Sequence, residues 1–186
     1  MQQRSYLMRK RVTKRILCLC AVCILCVALS LSAFAASRAK TGWRLGAYGD
    51  QTYSLSVYGN TVLSPNRNVV IYQSQNITDQ LWIQQTAPNG LYYLVSGIDG
   101  YGTYALNIYR YQGANYLNCD VYPLSGNERD ASIEIQYEQN SSRHFKSYYY
   151  GYYLVATGAS NLANVKWGSR DYVNYSDWWF PVSITA

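Results

Sequence analysis

A carboxylate and an aromatic ring lie two positions apart in the segment Asn118 to Tyr122. If this segment is a β-strand, Asp120 and Tyr122 share one face, while Cys119 and Val121 share the other. With the apolar pair inward, an acid and a ring stand together on the outside. A ring can stack on the C–H face of a pyranose while polar groups bind its hydroxyls, so this face is suited to a neutral sugar.

The same alternation predicts an amide on a neighbouring strand. In the segment 105–108, Leu106 and Ile108 point inward and leave Asn107 facing outward. The sequence therefore predicts a set of polar side chains on one surface, built from two strands.

Catalytic chemistry has little support in the sequence. Cys119 and His144 are the only thiol and imidazole after residue 35, but Cys119 is on the predicted apolar face, where a free cysteine behaves as a small hydrophobe. The carboxylates Glu134, Glu138 and Asp177 are scattered, without the pairing that a glycosidase needs. One cysteine and one histidine cannot build a zinc site. We expect no enzyme activity, no metal and no cofactor.

The charge distribution excludes a polyanionic partner. The chain has 16 Lys and Arg against 10 Asp and Glu, but six of the basic residues lie in the first fifteen positions. From Ala36 onward ten basic residues balance ten acidic residues. A neutral body of this kind has no electrostatic surface for nucleic acid.

The first 35 residues are predicted to be a signal peptide. A basic start is followed by the apolar run Ile16 to Leu29 and then by Ala33-Phe34-Ala35, a small-x-small pattern that predicts cleavage after Ala35. Fourteen apolar residues are fewer than the roughly 20 that span a bilayer. The alternative is that this segment stays uncleaved as a membrane anchor, which would be the protein's only contact with a membrane. Cleavage leaves Cys119 as the sole cysteine and hence no internal disulfide, which favours a secreted bacterial protein.

Three landmarks recur in order through residues 36–186. The first is a short apolar strand, the second an Asn-led strand, and the third a closing group with a large apolar residue; the closing residues are Trp82, Ile133 and Trp179. The distance from the first landmark's leucine to the closing residue is 27, 27 and 25 positions in the three copies. Order and spacing that persist in all three copies indicate an internal repeat.

Each repeat has the pattern of β-strands. Apolar and polar residues alternate, and clusters of Gly, Asn, Ser and Pro interrupt them at short intervals. About four strands in each of three units, at 42–90, 91–141 and 142–186, predict an all-β closed architecture without open sheet edges. The three closing residues are expected to meet in its core.

These residues resemble a ricin B-type β-trefoil, the carbohydrate-binding lectin module with threefold internal symmetry. Gln80-Leu81-Trp82 matches the closing Gln-x-Trp motif of that family, Asp177-Trp178-Trp179 keeps its Trp, and Ala131-Ser132-Ile133 keeps only the large apolar position. The resemblance runs from Gly42 to the C-terminus. It implies a non-catalytic lectin-like module, while the variety of functions on this fold leaves a protein-binding module, such as an inhibitor or cell-surface partner, as the alternative.

The resemblance also implies binding residues, most of them in the second unit. There, Asn107 occupies the position of the family's key Asp, Asp120 that of its Gln, and Tyr122 that of its aromatic platform. Asn127 and Asp130 stand where the family often has a supporting Asn. The second unit therefore has Asp and Asn roles exchanged.

The other two units retain less of the family's site. In the first unit Tyr72 keeps the platform position and Asp79 is a possible helper, but Ser56 and Val70 replace the polar pair. In the third unit the corresponding positions are Val155, Lys166 and Gly168, and a ring would have to come from Tyr172 or Tyr175.

The tract Tyr148 to Tyr153 contains five tyrosines in six residues. Tyrosine favours strands, so the simpler interpretation is a β-strand. The alternative is an exposed aromatic surface that contacts sugar or protein.

Overall fold

The computed structural model describes residues 41–49, 51–59, 64–98, 104–110, 117–138 and 140–185. The chain divides into two units, Met1–Arg38 and Ala39–Ala186, and all described residues belong to the second. The predicted signal peptide, residues 1–35, lies outside the described ranges.

The second unit of the chain is built almost entirely from β-strands. In the first repeat these are β1 (Thr41–Ala47), β2 (Tyr53–Val57), β3 (Arg67–Gln73) and β4 (Trp82–Thr86). The second repeat has β5 (Tyr92–Ser96), β6 (Tyr104–Tyr109), β7 (Leu117–Pro123) and β8 (Ile133–Tyr137). The third has β9 (Arg143–Ser147), β10 (Tyr153–Ala156), β11 (Val165–Gly168) and β12 (Trp179–Thr185). The predicted all-β fold with four strands in each repeat is confirmed.

Two short helical turns precede closing strands. A 3-10 helix covers Thr78–Gln80 before β4, and helix α1 covers Glu128–Ala131 before β8. Among the residues that the structure describes, no helix has the length and apolar character needed to cross a lipid bilayer.

Six strands close into a ring. The first and last strands of each repeat pair in the order β1, β4, β5, β8, β9, β12, and β12 returns to pair with β1 over seven residues. Every strand of this ring thus has a neighbour on both sides. Such closure leaves no ring strand as a free edge for aggregation.

The middle strands of each repeat form three hairpins that cover one end of the ring. These are β2–β3, β6–β7 and β10–β11. Strand β7 also pairs with β3 and with β11, and a single bridge joins Val70 of β3 to Asn164. The hairpins therefore meet around the pseudo-threefold axis.

Three asparagines hold the hairpins together at this axis. Asn68 donates from Nδ2 to Asn164 Oδ1 (2.9 Å), Asn164 donates to Asn118 Oδ1 (2.9 Å), and Asn118 donates to Asn68 Oδ1 (2.7 Å). The three amides form a closed cycle, the asparagine ring. These are the residues that lead the second sequence landmark, so the recurring Asn has a structural cause.

The closing residues lie in one core, as the sequence predicts. Trp82 and Trp179 are 0 % exposed and Ile133 is 1 % exposed. The indole N–H of Trp82 donates to Leu55 O (3.0 Å), and that of Trp179 donates to Leu154 O (2.9 Å). Each bond ties a ring strand to the hairpin of its own repeat, and burial of each such side chain contributes ~1.5–3 kcal/mol.

The prediction of a strand through the tyrosine tract is wrong. Strand β9 ends at Ser147, and Tyr148, Tyr149 and Tyr150 form a turn that returns the chain to β10 at Tyr153. Gly151 permits this turn because its φ is 72°, which side chains disfavour. The tyrosines of the turn are exposed, which fits the alternative interpretation.

Candidate functional site

A cleft of about 240 Å³ lies beside the hairpin of the second repeat. We call it the second-repeat cleft. Four residues of the predicted site line it, namely Asn107, Tyr122, Asn127 and Asp130, together with Asn66, Ile108 and Tyr109. Strands β6 and β7 supply Asn107 and Tyr122, the turn into α1 supplies Asn127, and α1 supplies Asp130. Asn66 comes from the first repeat, which no pattern within the second repeat could reveal.

Asn107 has its orientation fixed by three hydrogen bonds. Its Nδ2 donates to Asp120 Oδ1 (2.9 Å) and to Ile108 O (3.1 Å), and its Oδ1 accepts a bond from Asn127 Nδ2. The side chain is 4 % exposed. Asn107 therefore orders the floor of the cleft and positions Asn127.

Asp120 does not stand on the outside, so that expectation is wrong. The predicted alternation is correct, because Cys119 and Val121 are both 0 % exposed on the opposite face, but Asp120 itself is only 1 % exposed and does not line the cleft. Its strand is central in the hairpin layer, where Asp120 faces Asn107 on one side and Asn68 on the other. From Leu117 to Val121 every residue of β7 is buried, so both faces of this part of the strand are covered.

Burial changes the acidity of Asp120. Loss of hydration raises the pKa of the carboxyl to about 6, although the bond from Asn107 acts in the opposite direction. Its Oδ2 has no hydrogen-bond partner among the described residues. Asp120 therefore positions Asn107 and has no direct access to a ligand in the cleft.

Asp130 and Asn127 present free acceptors to the cleft. Asp130 Oδ1 accepts a hydrogen bond from Tyr150 OH (2.8 Å). Among the described residues, the side-chain bonds of Asp130 and Asn127 use Asp130 Oδ1 and Asn127 Nδ2, which leaves Asp130 Oδ2 and Asn127 Oδ1 as acceptors for a ligand. Together with the partly buried ring of Tyr122, they provide a stacking surface and two acceptors for hydroxyl groups.

A second cleft of about 300 Å³ lies at the equivalent place in the first repeat. Both predicted residues of that repeat, Tyr72 and Asp79, line it. Ser56 donates from Oγ to Asp79 Oδ2 (3.1 Å), and burial raises the pKa of Asp79. Asp79 and Asp130 each precede their closing residue by three positions, so the two clefts have a carboxylate in common.

Apolar side chains make up more of this first-repeat cleft. Val70, Ile77 and Leu162 line it beside the polar groups. Leu162 belongs to the third repeat, and its N–H donates to Ile71 O (2.9 Å). The sequence did not indicate Ile77 or Leu162, because both lie in irregular connections.

The third repeat differs from the other two. Val155, Lys166 and Gly168 line neither cleft. Ser176 occupies the place of Asp79 and Asp130, and its Oγ donates to Asp171 Oδ2 (2.6 Å). Bonds from Asn174 and Ser176 lower the pKa of Asp171 to about 2. These contacts fold residues 171–176 into a compact loop with Tyr172 and Tyr175 exposed.

The structure assembles one ionic cluster that the sequence did not predict. His144, 0 % exposed, lies between Glu138 Oε1 (2.9 Å from Nε2) and Asp177 Oδ2 (3.1 Å from Nδ1). Arg170 contacts the same two carboxylates at 3.2 and 3.3 Å. Two of the three carboxylates that looked scattered, Glu138 and Asp177, are thus joined in one cluster, whereas Glu134 lies 3.6 Å from Lys146 Nζ. Cys119 is buried in the apolar core. Since the carboxylates flank opposite edges of the imidazole, they do not converge on one metal position, and the described residues contain no group placed to hold a metal ion.

Comparison with known proteins identifies the fold. No family model and no curated protein sequence matches the chain. Among solved structures, a designed threefold-symmetric protein, ThreeFoil, is similar with a TM-score of 0.65 and 21% identity, covering 75% of this chain and 96% of that one. The Macrolepiota procera ricin B-like lectin, solved with lactose, is similar with a TM-score of 0.57 and 13% identity, covering 77% of this chain and 94% of that one.

A toxin chain is similar to the same degree. Cytolethal distending toxin from Actinobacillus actinomycetemcomitans gives a TM-score of 0.58 at 13% identity, covering 78% of this chain and 90% of that one. At these identities the likeness is one of fold. The chain is therefore a β-trefoil, with the fold that ricin B-like lectins have.

Proposed function

We propose that this protein is secreted and binds carbohydrate without modifying it. The observation that carries the proposal is the second-repeat cleft, where the ring of Tyr122, the amide of Asn127 and the carboxylate of Asp130 converge. Secretion is supported by the basic and apolar pattern of residues 1–35.

The chemistry of the cleft suits a neutral sugar. Tyr122 would stack on the C–H face of a pyranose, while Asp130 Oδ2 and Asn127 Oδ1 accept hydrogen bonds from adjacent hydroxyls. Asn107, itself bonded to Asp120, holds Asn127 in place, and Tyr150 holds Asp130, so these acceptors are oriented before the ligand arrives. Such preorganisation lowers the entropic cost of binding.

A non-catalytic role is supported by the positions of the reactive side chains. Cys119 and His144 are both 0 % exposed, and His144 is bound in the ionic cluster. Neither lines the second-repeat cleft. The lactose complex of the Macrolepiota procera lectin adds support for a sugar as the ligand class on this fold.

The first-repeat cleft is proposed as a second, weaker sugar site. It offers the ring of Tyr72 and the carboxylate of Asp79, but Ser56 already uses one oxygen of that carboxylate. Fewer free acceptors mean fewer bonds to hydroxyls.

The test is a glycan array probed with the purified protein and with Tyr122→Ala. We expect the substitution to weaken binding about tenfold, because it removes a stacking contact and its apolar area. Tyr122→Phe keeps the ring and serves as the matched control, with binding close to that of the wild type. Equal binding by Tyr122→Ala and wild type would exclude this cleft as the sugar site.

A protein-binding module remains a second candidate because of the third repeat. In its 171–176 loop, Tyr172 is 70% and Val173 is 81% exposed, and neither residue lines a cleft. Exposed aromatic and aliphatic groups of this kind are common in protein contacts. A captured protein that free sugars fail to displace, and that Tyr172→Ala releases, would favour this function.

A further inference from the structure

The turn that Tyr148, Tyr149 and Tyr150 form in the third repeat, the tyrosine turn, contacts the second-repeat cleft. Tyr150 OH donates to Asp130 Oδ1 at 2.8 Å, and Asp130 lines the cleft. The backbone N–H of Tyr148 donates to Ser132 O (3.1 Å), directly after α1. A side-chain bond and a backbone bond thus hold the turn against the edge of the cleft.

Two rings of this turn are arranged around one guanidinium. Arg129 Cζ lies 5.5 Å from the centroid of the Tyr149 ring and 5.8 Å from that of Tyr150. Tyr148 packs edge-on against Tyr149, with centroids 5.1 Å apart. Because Arg129 and Asp130 are consecutive in α1, a single helical turn connects the cleft to the rings.

These ordered rings are still open to solvent. Tyr149 is 49% and Tyr150 is 38% exposed. Rings that are fixed before a ligand binds lose little conformational freedom when they stack on it. The turn therefore offers flat apolar surface that continues from the cleft.

We propose that the glycan bound in the second-repeat cleft continues over Tyr150 onto Tyr149, so that the ligand is an oligosaccharide. This inference rests on the proposed function. One sugar occupies the cleft beside Tyr122, and a following sugar stacks on the tyrosine turn. The turn is the second subsite of one extended binding surface.

The charges around this surface favour a neutral chain. Arg129 is the one cation of α1, and Glu128 and Asp130 are its two carboxylates. Arg110 is a second cation that acts on Tyr150. Two positive charges therefore balance two negative charges, and the surface has no net attraction for sulfated or sialylated sugars. Hydroxyl groups can still bond to Asp130 Oδ2 and to the guanidinium.

The experiment compares chain lengths. The probes are arrayed neutral glycans ending in galactose, glucose or N-acetylglucosamine, each as a monosaccharide, a disaccharide and a tetrasaccharide, together with sialylated forms of the tetrasaccharides. For a bound terminal sugar, we expect Tyr149→Ala to lower affinity for the tetrasaccharide about three- to tenfold and to leave the monosaccharide unchanged. Tyr122→Ala should lower affinity for both. Tyr137→Ala, at a tyrosine that is 65% exposed and lines neither cleft, should lower affinity for neither.

Each result supports or overturns the inference. The second subsite is overturned if wild-type affinity does not depend on chain length, or if Tyr149→Ala lowers affinity equally for all lengths. In either case, a loss of affinity in Tyr122→Ala still supports the cleft as the sugar site. Tighter binding of sialylated than of neutral glycans overturns the neutral-chain assignment. No binding of any probe overturns the proposed function itself. Binding that Tyr122→Ala leaves unchanged excludes the second-repeat cleft as the sugar site and overturns this inference with it. Backbone hydrogen exchange supplies a second readout, with slower exchange at residues 148–150 expected only with the tetrasaccharide.

Discussion

Asn107 is the side chain that connects the interior of the second repeat to its cleft. Its amide donates inward to Asp120 and accepts from Asn127 at the cleft. An amide suits this place because it donates and accepts at once, whereas a carboxylate at 107 would face the carboxylate of Asp120. The amide of Asn107 and the carboxylate of Asp120 are thus a matched donor and acceptor.

Asp120 should make stability depend on pH. Its pKa is raised from 3.8 to about 6 in the folded protein, so folding favours the protonated form. The contribution of this carboxyl to the free energy of unfolding is fully present below about pH 3.8 and is lost as the pH rises through about 6. A shift of this size corresponds to about 3 kcal/mol. We expect Asp120→Asn to remove that part of the pH dependence, measured by urea unfolding of both proteins from pH 4 to pH 8.

The difference between the two proteins isolates this carboxyl from all others. As the pH rises, the free energy of unfolding of Asp120→Asn should increase relative to that of the wild type, since the asparagine keeps an acceptor for Asn107 without a buried charge. A constant difference across the range would show that Asp120 does not titrate there. Asp130→Asn is the comparison at a partly buried carboxylate.

The sequence predicted the faces of these residues but not their burial. Alternation along Asn118 to Tyr122 correctly separated Cys119 and Val121 from Asp120 and Tyr122. It could not show that a strand from the first repeat covers Asp120, because Asn68 is about fifty positions away. The burial of a side chain such as Asp120 depends on how the hairpins of different repeats assemble.

At the scale of elements, the asparagine ring joins the three hairpins. Within the ring each amide donates one bond and accepts one, so removal of one side chain leaves a donor and an acceptor of the other two without their ring partner. Asn118 is 3% exposed, which prevents water from replacing both bonds. The ring therefore fixes the relative positions of the hairpins.

We expect Asn118→Ala to lower the free energy of unfolding by about 2 kcal/mol, the cost of polar groups left unpaired in a buried site. Denaturant unfolding measures the loss. Asn76→Ala, at an exposed position, is the matched control and should change stability by less than about 0.5 kcal/mol. Equal effects of the two substitutions would mean that the ring contributes nothing beyond a surface amide.

The ionic cluster shows what the sequence could not predict at this scale. Glu138 follows β8, His144 lies in β9, and Arg170 and Asp177 come from the connection between β11 and β12. These segments have no common periodic pattern, and they meet only because the ring closes between β9 and β12. The strand propensity of tyrosine also failed to predict the tyrosine turn, because it does not take account of the positive φ that Gly151 permits.

At the scale of the whole molecule, the three repeats share one core. In solenoid repeats each unit contacts only its neighbours and adds its own stability. Here the ring strands of all three repeats surround Trp82, Ile133 and Trp179, which lie in one cluster of buried residues. The sequence predicted this arrangement well, because the closing residues recur at nearly constant spacing.

A shared core requires the repeats to unfold together. Trp82 belongs to the first repeat and Trp179 to the third, yet we expect Trp82→Ala and Trp179→Ala each to destabilise the entire domain by about 3–5 kcal/mol. Trp178→Ala, at the partly buried neighbouring position, should cost less. Urea unfolding followed by far-UV circular dichroism and by hydrogen exchange in each repeat should give one coincident transition for every variant. Two separable transitions, with one repeat lost first, would show that closure of the ring does not couple the repeats.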